Sequence, residues 1–249
     1  MPNSDAEGFS PLLLARILGI VSLAGIVTGA FSLGYVDGRL IVAGNPAATI
    51  QNILAHENLF RAGFAAHLFE MLLNVAGEIL FFILLRRVNA VVAAISMACG
   101  LVGTAIEGLD LLNGYAPLQL AIEGHALGAL SPGQLQALSY TFVQLEGAGV
   151  VISFAFYGLD ELLGGFLIYR SRFLPRVLGV LLGIAGICYF THSFLTVVAP
   201  ALDARLYPYI LYACLPGEAL SALWFATVGV NVAKWRAWAG EVQGEAASA

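Results

Sequence analysis

This sequence is poor in charge and poorer still in bases. Asp, Glu, Lys and Arg make up 11% of its 249 residues, less than half of the roughly 25% that a soluble domain carries. Its only lysine is Lys234. With no basic face to follow a phosphate backbone, a nucleic-acid role is excluded. With no lysine in mid-helix there is no Schiff-base anchor for a retinal. The cysteines Cys99, Cys188 and Cys214 all fall in apolar runs without CxxC spacing, so they read as small core residues and give no zinc or redox motif. No P-loop, dinucleotide fingerprint, nucleophile elbow or HExxH occurs. The opening MPNSDAEGFS is acidic where a secretory signal would be basic, so the first apolar run is expected to stay as a helix.

Long apolar runs are what remains. Hydrophobic residues are 59% of the chain and the mean hydropathy is +0.86, which is the composition of an integral membrane protein. The expected fold is all-α, a polytopic bundle of six transmembrane helices at 11–36, 59–85, 89–114, 138–169, 177–199 and 208–233. Arg16, Arg86, Arg87, Arg170, Arg172, Arg176, Lys234 and Arg236 then gather on one side. The positive-inside rule makes that side, and both termini, cytoplasmic in an inner or plasma membrane. The domain layout expected is a polar tail at 1–10, a single six-helix domain at 11–236 and a disordered tail at 237–249.

Two longer connections, 37–58 and 115–137, fall on the other side and hold His56 and His125, both expected to be solvated. In the first, ATIQNILAHENLF has near-helical apolar spacing and reads as an interfacial helix feeding the second span. In the second, Ser131 is placed to cap a helix with Pro132 in its first turn. Gly25 with Gly29, and Gly179 with Gly183, are small-xxx-small pairs suited to close helix contact.

Within the spans sit eight acids: Glu70, Glu78, Glu107, Asp110, Glu146, Asp160, Glu161 and Glu218, with only His67 and His192 as basic neighbours. Each carboxylate costs about 2.5 to 3.5 kcal/mol near the bilayer centre, so eight unassisted ones cost about 20 kcal/mol or more. They must be protonated, hydrated or bound. Helical spacing sets His67, Glu70, Asn74 and Glu78 on one face of the second span. Glu107 and Asp110 are neighbours on the third, and Glu146, Ser153, Tyr157 and Glu161 share a stripe on the fourth. The three stripes are expected to line a common interior. In the sixth span Pro216 and Gly217 precede Glu218, and a helix break is expected there.

Salt bridges do not account for so many acids, because the arginines sit at helix ends. Carboxyl groups kept neutral by desolvation and by one another are natural general acids and proton carriers. A divalent metal is compatible with His67, Glu70, Glu107, Asp110, His192 and Glu218, although the ExxH step of di-iron bundles is missing. No other cofactor is expected.

Three segments carry a family resemblance: NILAHENLFRAGF, FLIYRSRFLPRVLGVLLGIAG and GEALSALWFATVGVN. Through them the chain, from about residue 14 to 232, resembles a bacterial family of six-span membrane proteins known only as a domain of unknown function. The turn from Tyr169 to Gly179 is the strongest piece. The resemblance implies the six-span topology and places Glu218 on the family pattern; it implies no activity.

The leading functional expectation is an intramembrane enzyme acting by acid-base chemistry on an apolar, lipid-like or isoprenoid small molecule, as an isomerase or cyclase would. Glu70, Glu107, Asp110, Glu161 and Glu218 are the expected acid and base set, with His67 and His192 orienting or shuttling protons. Phe69, Asn74, Ser153, Phe154 and Tyr157 are the expected substrate contacts, aromatic faces being able to stabilise a developing cation. The alternatives are a proton-coupled transporter or ion pathway, and a non-catalytic ligand-binding or protective membrane protein. The expected partners are an apolar ligand and membrane lipids.

Overall fold

The computed structural model describes residues 10–123 and 130–238. The tail expected at 1–10 (save Ser10), His125, and the C-terminal tail from 239 lie outside the described residues. The described residues are all helix, turn or irregular, with no strand. α1 is Pro11–Gly29, and it passes through a π-helical segment, Ala30–Val36, into the short α2, Asp37–Leu40. Then follow α3 (Pro46–Ala55), α4 (Glu57–Leu85), α5 (Ala90–Glu123), α6 (Pro132–Arg170), α7 (Arg176–Val198) and α8 (Pro200–Thr227). A last helical stretch occupies 232–238, running two residues into the segment expected to be disordered.

Among the described residues, five stretches are long and apolar enough to cross a membrane: Pro11–Leu40, Glu57–Leu85, Ala90–Ile122, Pro132–Arg170 and Arg176–Val198. A sixth is counted if Pro200–Tyr207 and Tyr212–Thr227, bent 52° from each other, form one span. The protein is therefore a multi-pass membrane protein. The first, third and fourth helices outrun the expected spans because polar residues near their ends do not break a helix that neighbours support. The expected break at Pro216 and Gly217 is not where the bend lies: the helix continues through both, and the bend falls at residues 208–211, where the sequence has another proline, Pro208. Gly217 serves packing instead, since a Cβ there would come 2.6 Å from the Leu181 carbonyl.

The cap expected from sequence at Ser131 is in place. Ser131 and Gln134 form a reciprocal capping box, the Ser131 N–H donating to Gln134 Oε1 (2.8 Å) and the Gln134 N–H to Ser131 Oγ (3.4 Å). The helix expected before the second span is α3, capped by Asn45, whose side chain accepts from the Ala48 N–H.

The chain falls into two compact units. One comprises the described residues up to Leu23, Asn74–Val102, and those from Phe154 on. Its core includes Leu18, Leu84, Leu85, Leu167, Ile168, Leu178 and Phe225, with Phe81 and Phe82 packed against it. Here α6 and α7 touch through glycine: a Cβ on Gly165 would lie 2.6 Å from the Gly179 carbonyl, and one on Gly158 2.8 Å from the Gly186 carbonyl. The expected role of Gly179 in close contact holds, and its partner is Gly165. The other unit comprises Ala24–Leu73 and Gly103–Ser153, with Val36, Leu40, Ile50, Ile53 and Leu118 at its core. The paired apolar residues of α3, Ile50 and Ile53, are thus buried as their spacing predicts, whereas Leu54 is exposed.

Candidate functional site

The unit built from Ala24–Leu73 and Gly103–Ser153 brings five acids around one histidine. His67 on α4 is 2% exposed, and its Nε2 lies 3.1 Å from Glu107 Oε1 on α5. Asp37, Glu70, Asp110 and Glu146 all lie within electrostatic range of the same imidazole. Asn113 Nδ2 donates to Asp110 Oδ1 across one helical turn. Beside His67 is a void of about 20 Å³, walled by Ser32, Asp37, Phe64, His67, Leu111 and Glu146 among others. That volume admits one water. Ser32 belongs to the π-helical segment, an irregularity of the kind that often re-aims side chains toward a site.

The acids fit because glycines face them. The Glu146 carboxyl fills the place a Cβ on Gly114 would take, and the Asp110 carboxyl the place of a Cβ on Gly149. The two notches are reciprocal between α5 and α6, with Asp110 four residues before Gly114 and Glu146 three before Gly149. Gly29 likewise faces the Glu70 carboxyl. Expected to meet another helix backbone, Gly29 makes room for an acid instead.

The other unit holds Glu78, Asp160, Glu161 and Glu218. Glu78 is hydrogen-bonded to Asp160, and Glu161 to Glu218. Two carboxyls side by side in an apolar setting favour sharing a proton over carrying two adjacent charges. Ser96 donates to Asp160, and the Tyr189 hydroxyl donates to Glu218. The Glu78 carboxyl sits over Gly100. Apart from these pairs, His192 donates from Nδ1 to Asp203 Oδ1 at 2.7 Å, and the Thr196 hydroxyl donates to Asp203 Oδ2 at 2.9 Å. Rings of Phe154 and Tyr207 flank the imidazole at 5.9 and 4.7 Å between centroids. His192 and Asp203 are 6% and 7% exposed, a matched pair in a dry setting.

Residues 17–229 match the family described as "Domain of unknown function (DUF4386)". The chain belongs to this family. The DUF4386 region takes in every acid and histidine just described, and ends before the helical stretch at 232–238. An "Uncharacterized protein" of Archaeoglobus fulgidus is 31% identical over 78 residues, which is 31% of this chain and 44% of that protein. The chain therefore spans less than half the length of this relative. No solved structure matches.

The expected stripes are divided within this DUF4386 chain. His67, Glu70, Glu107, Asp110, Glu146 and Ser153 belong to one unit, and Asn74, Glu78, Phe154, Tyr157, Asp160, Glu161, His192 and Glu218 to the other. Phe69, expected to contact substrate, is 52% exposed and is not in the wall of the void. The Ser153 hydroxyl is fully buried and donates to the Val150 carbonyl of its own helix at 2.8 Å. Among the described residues no three His, Cys, Asp or Glu side chains come together as a metal would require. Five participants escape a reading of the sequence: Asp37, Asp203, Ser96, Thr196 and Tyr189. For Tyr189 a signal exists, because it precedes His192 by three residues on one helix face. Asp37 and Asp203 are hidden because their segments read as connections.

Proposed function

We propose that the protein is an integral membrane enzyme using buried carboxyl groups and an imidazole as general acid and base. Its substrate is an apolar, lipid-like or isoprenoid small molecule, and its reaction is of the isomerisation or cyclisation class. It resides in the inner or plasma membrane with both termini cytoplasmic, as the placement of Arg and Lys favours. The observation that carries the reading is His67, bonded to Glu107 and standing in the wall of a water-sized void that Asp37 and Glu146 also line.

A carboxylate bonded to one ring nitrogen orients an imidazole and selects its tautomer. The neighbouring acids supply a proton donor. Dry surroundings strengthen each of these interactions as charge develops. The void receives only a reacting atom or a water, so a larger body enters when the surrounding helices part. In the other unit, Phe81, Phe82 and Leu167 join a continuous apolar core, which favours enclosed chemistry over a path for ions.

Proton transfer to carbon leaves an isotopic trace that can be read before the substrate is identified. The purified protein incubated with total membrane lipid in D2O is expected to place deuterium on one lipid species. His67→Ala and Glu107→Gln should lower that rate by about 100-fold or more, the usual contribution of acid-base catalysis. Equal labelling by wild type and both variants sinks the proposal.

A second reading is proton-coupled transport, and the carboxyl pairs Glu78–Asp160 and Glu161–Glu218 favour it, since each is a ready proton store. It requires solute-driven proton uptake in proteoliposomes carrying a pH dye, abolished by Glu161→Gln.

A further inference from the structure

A groove of about 440 Å³ opens where the α6–α7 turn meets the helical stretch at 232–238, lined by Ser171, Arg172, Leu174, Arg176, Lys234 and Trp238. The volume is in the range of small-molecule sites, roughly 300 to 1,000 Å³. Among the described residues three cations line it and no acid does. It shares no residue with the acidic clusters, and it stands whether or not the enzymatic reading does.

The groove is built on a braced floor. Ser171, 2% exposed, donates from its hydroxyl to the Ile168 carbonyl at 2.7 Å. The Asn231 N–H donates to the Phe173 carbonyl at 3.2 Å, while Asn231 Oδ1 accepts from the Lys234 N–H at 3.0 Å. These bonds tie the turn to the last helical stretch. Trp238 Nε1 donates to the Arg87 carbonyl at 2.9 Å, and the Arg172 guanidinium lies 5.2 Å from the Trp238 ring centre. Arg172 is thereby held over an aromatic face with its fork pre-oriented. α7 starts at Arg176 with no side-chain cap, so its first N–H groups add positive potential at the same place.

The geometry points to a phosphate-binding site that takes the headgroup of an anionic phospholipid. Arg172 and Arg176 offer paired N–H donors to phosphate oxygens, and Lys234 adds a compact charge. A lipid is favoured over a free phosphate ester because the groove lies at the ends of two membrane-crossing helices, α6 and α7. Headgroups lie at that level, and a tryptophan such as Trp238 is at home there.

The test uses the full chain in a neutral maltoside detergent. Its three tryptophans are Trp224, Trp235 and Trp238, and Trp238 lines the groove. Brominated phosphatidylglycerol is expected to quench tryptophan fluorescence saturably, at concentrations at least tenfold below brominated phosphatidylcholine. Each charge removed should weaken this about fivefold. Arg172→Gln combined with Arg176→Gln and Lys234→Gln then abolishes the preference, whereas Arg205→Gln with Arg236→Gln leaves it. Lys234→Gln alone alters one exposed side chain and is expected to show the fivefold loss even if the triple variant fails to fold. Inorganic phosphate, titrated separately, is expected to compete only weakly. Unchanged quenching in Lys234→Gln and in the triple variant overturns the site. Tight binding of phosphate without any preference for phosphatidylglycerol overturns the headgroup assignment.

Discussion

At the scale of single residues, partners explain more than positions. His192 and Asp203 are both almost fully buried, and removing one member of such a pair strands the other at a cost of about 3 to 5 kcal/mol. Asp203→Ala is expected to destabilise the protein by that amount in chemical denaturation, while the Thr196 hydroxyl keeps the His192 carbonyl as its acceptor. Asp203→Asn, which keeps one acceptor oxygen, should recover a large part of it; identical unfolding of the two variants would contradict the pairing. Asp203 is not legible in the sequence, since it stands eleven residues beyond His192 and only the α7–α8 turn at Ala199 brings it back. The pairing of His67 with Glu107 is half legible. Helical spacing puts each on a polar face, but which acid of the third span meets the imidazole depends on the rotation of α5 about its axis.

At the scale of helices, glycine does two jobs that sequence spacing cannot tell apart. Gly179 and Gly183 form one small-xxx-small pair, yet a Cβ on Gly179 would lie 2.5 Å from the Gly165 carbonyl while one on Gly183 would meet open space. Gly179→Ala should therefore force α6 and α7 apart and cost about 1 to 3 kcal/mol. Gly183→Ala should be neutral or stabilise by about 0.5 to 1 kcal/mol, the gain of alanine over glycine within a helix. Thermal unfolding in detergent decides between them, and equal losses for both would refute the contact. Gly114 and Gly149 do the second job and hold space for Glu146 and Asp110. A methyl group on Gly114 meets the end of a flexible side chain, so Gly114→Ala is expected to move the Glu146 carboxyl while the protein stays folded. In the deuterium-labelling assay this variant should fall toward the level of Glu107→Gln with an unchanged unfolding midpoint. A lowered midpoint with full labelling would show that the notch matters to packing alone.

At the scale of the whole molecule, the 52° bend in α8 decides how many times the chain crosses the membrane. If Pro200–Tyr207 and Tyr212–Thr227 make one crossing, six crossings put Ser10 and Arg236 on the same side. In a background without Cys99, Cys188 and Cys214, Ser10→Cys and Arg236→Cys are then expected to label together with a membrane-impermeant thiol reagent, and neither from the outside. Labelling of one from each side would mean five crossings and a re-entrant α8. The sequence by itself determined that this is a helical, multi-pass membrane protein with acids in its apolar stretches, because apolar length and the scarcity of charge are properties of composition and order along the chain. It also determined the cap at Ser131 and the helical faces on which the acids stand, since these depend on residues three or four apart. Only the tertiary structure decided which acids pair, which glycines face them, that Asp37 and Asp203 join them, and where the last helix bends. Those outcomes depend on how each helix is rotated against its neighbours, and that is settled by contacts between residues remote in sequence.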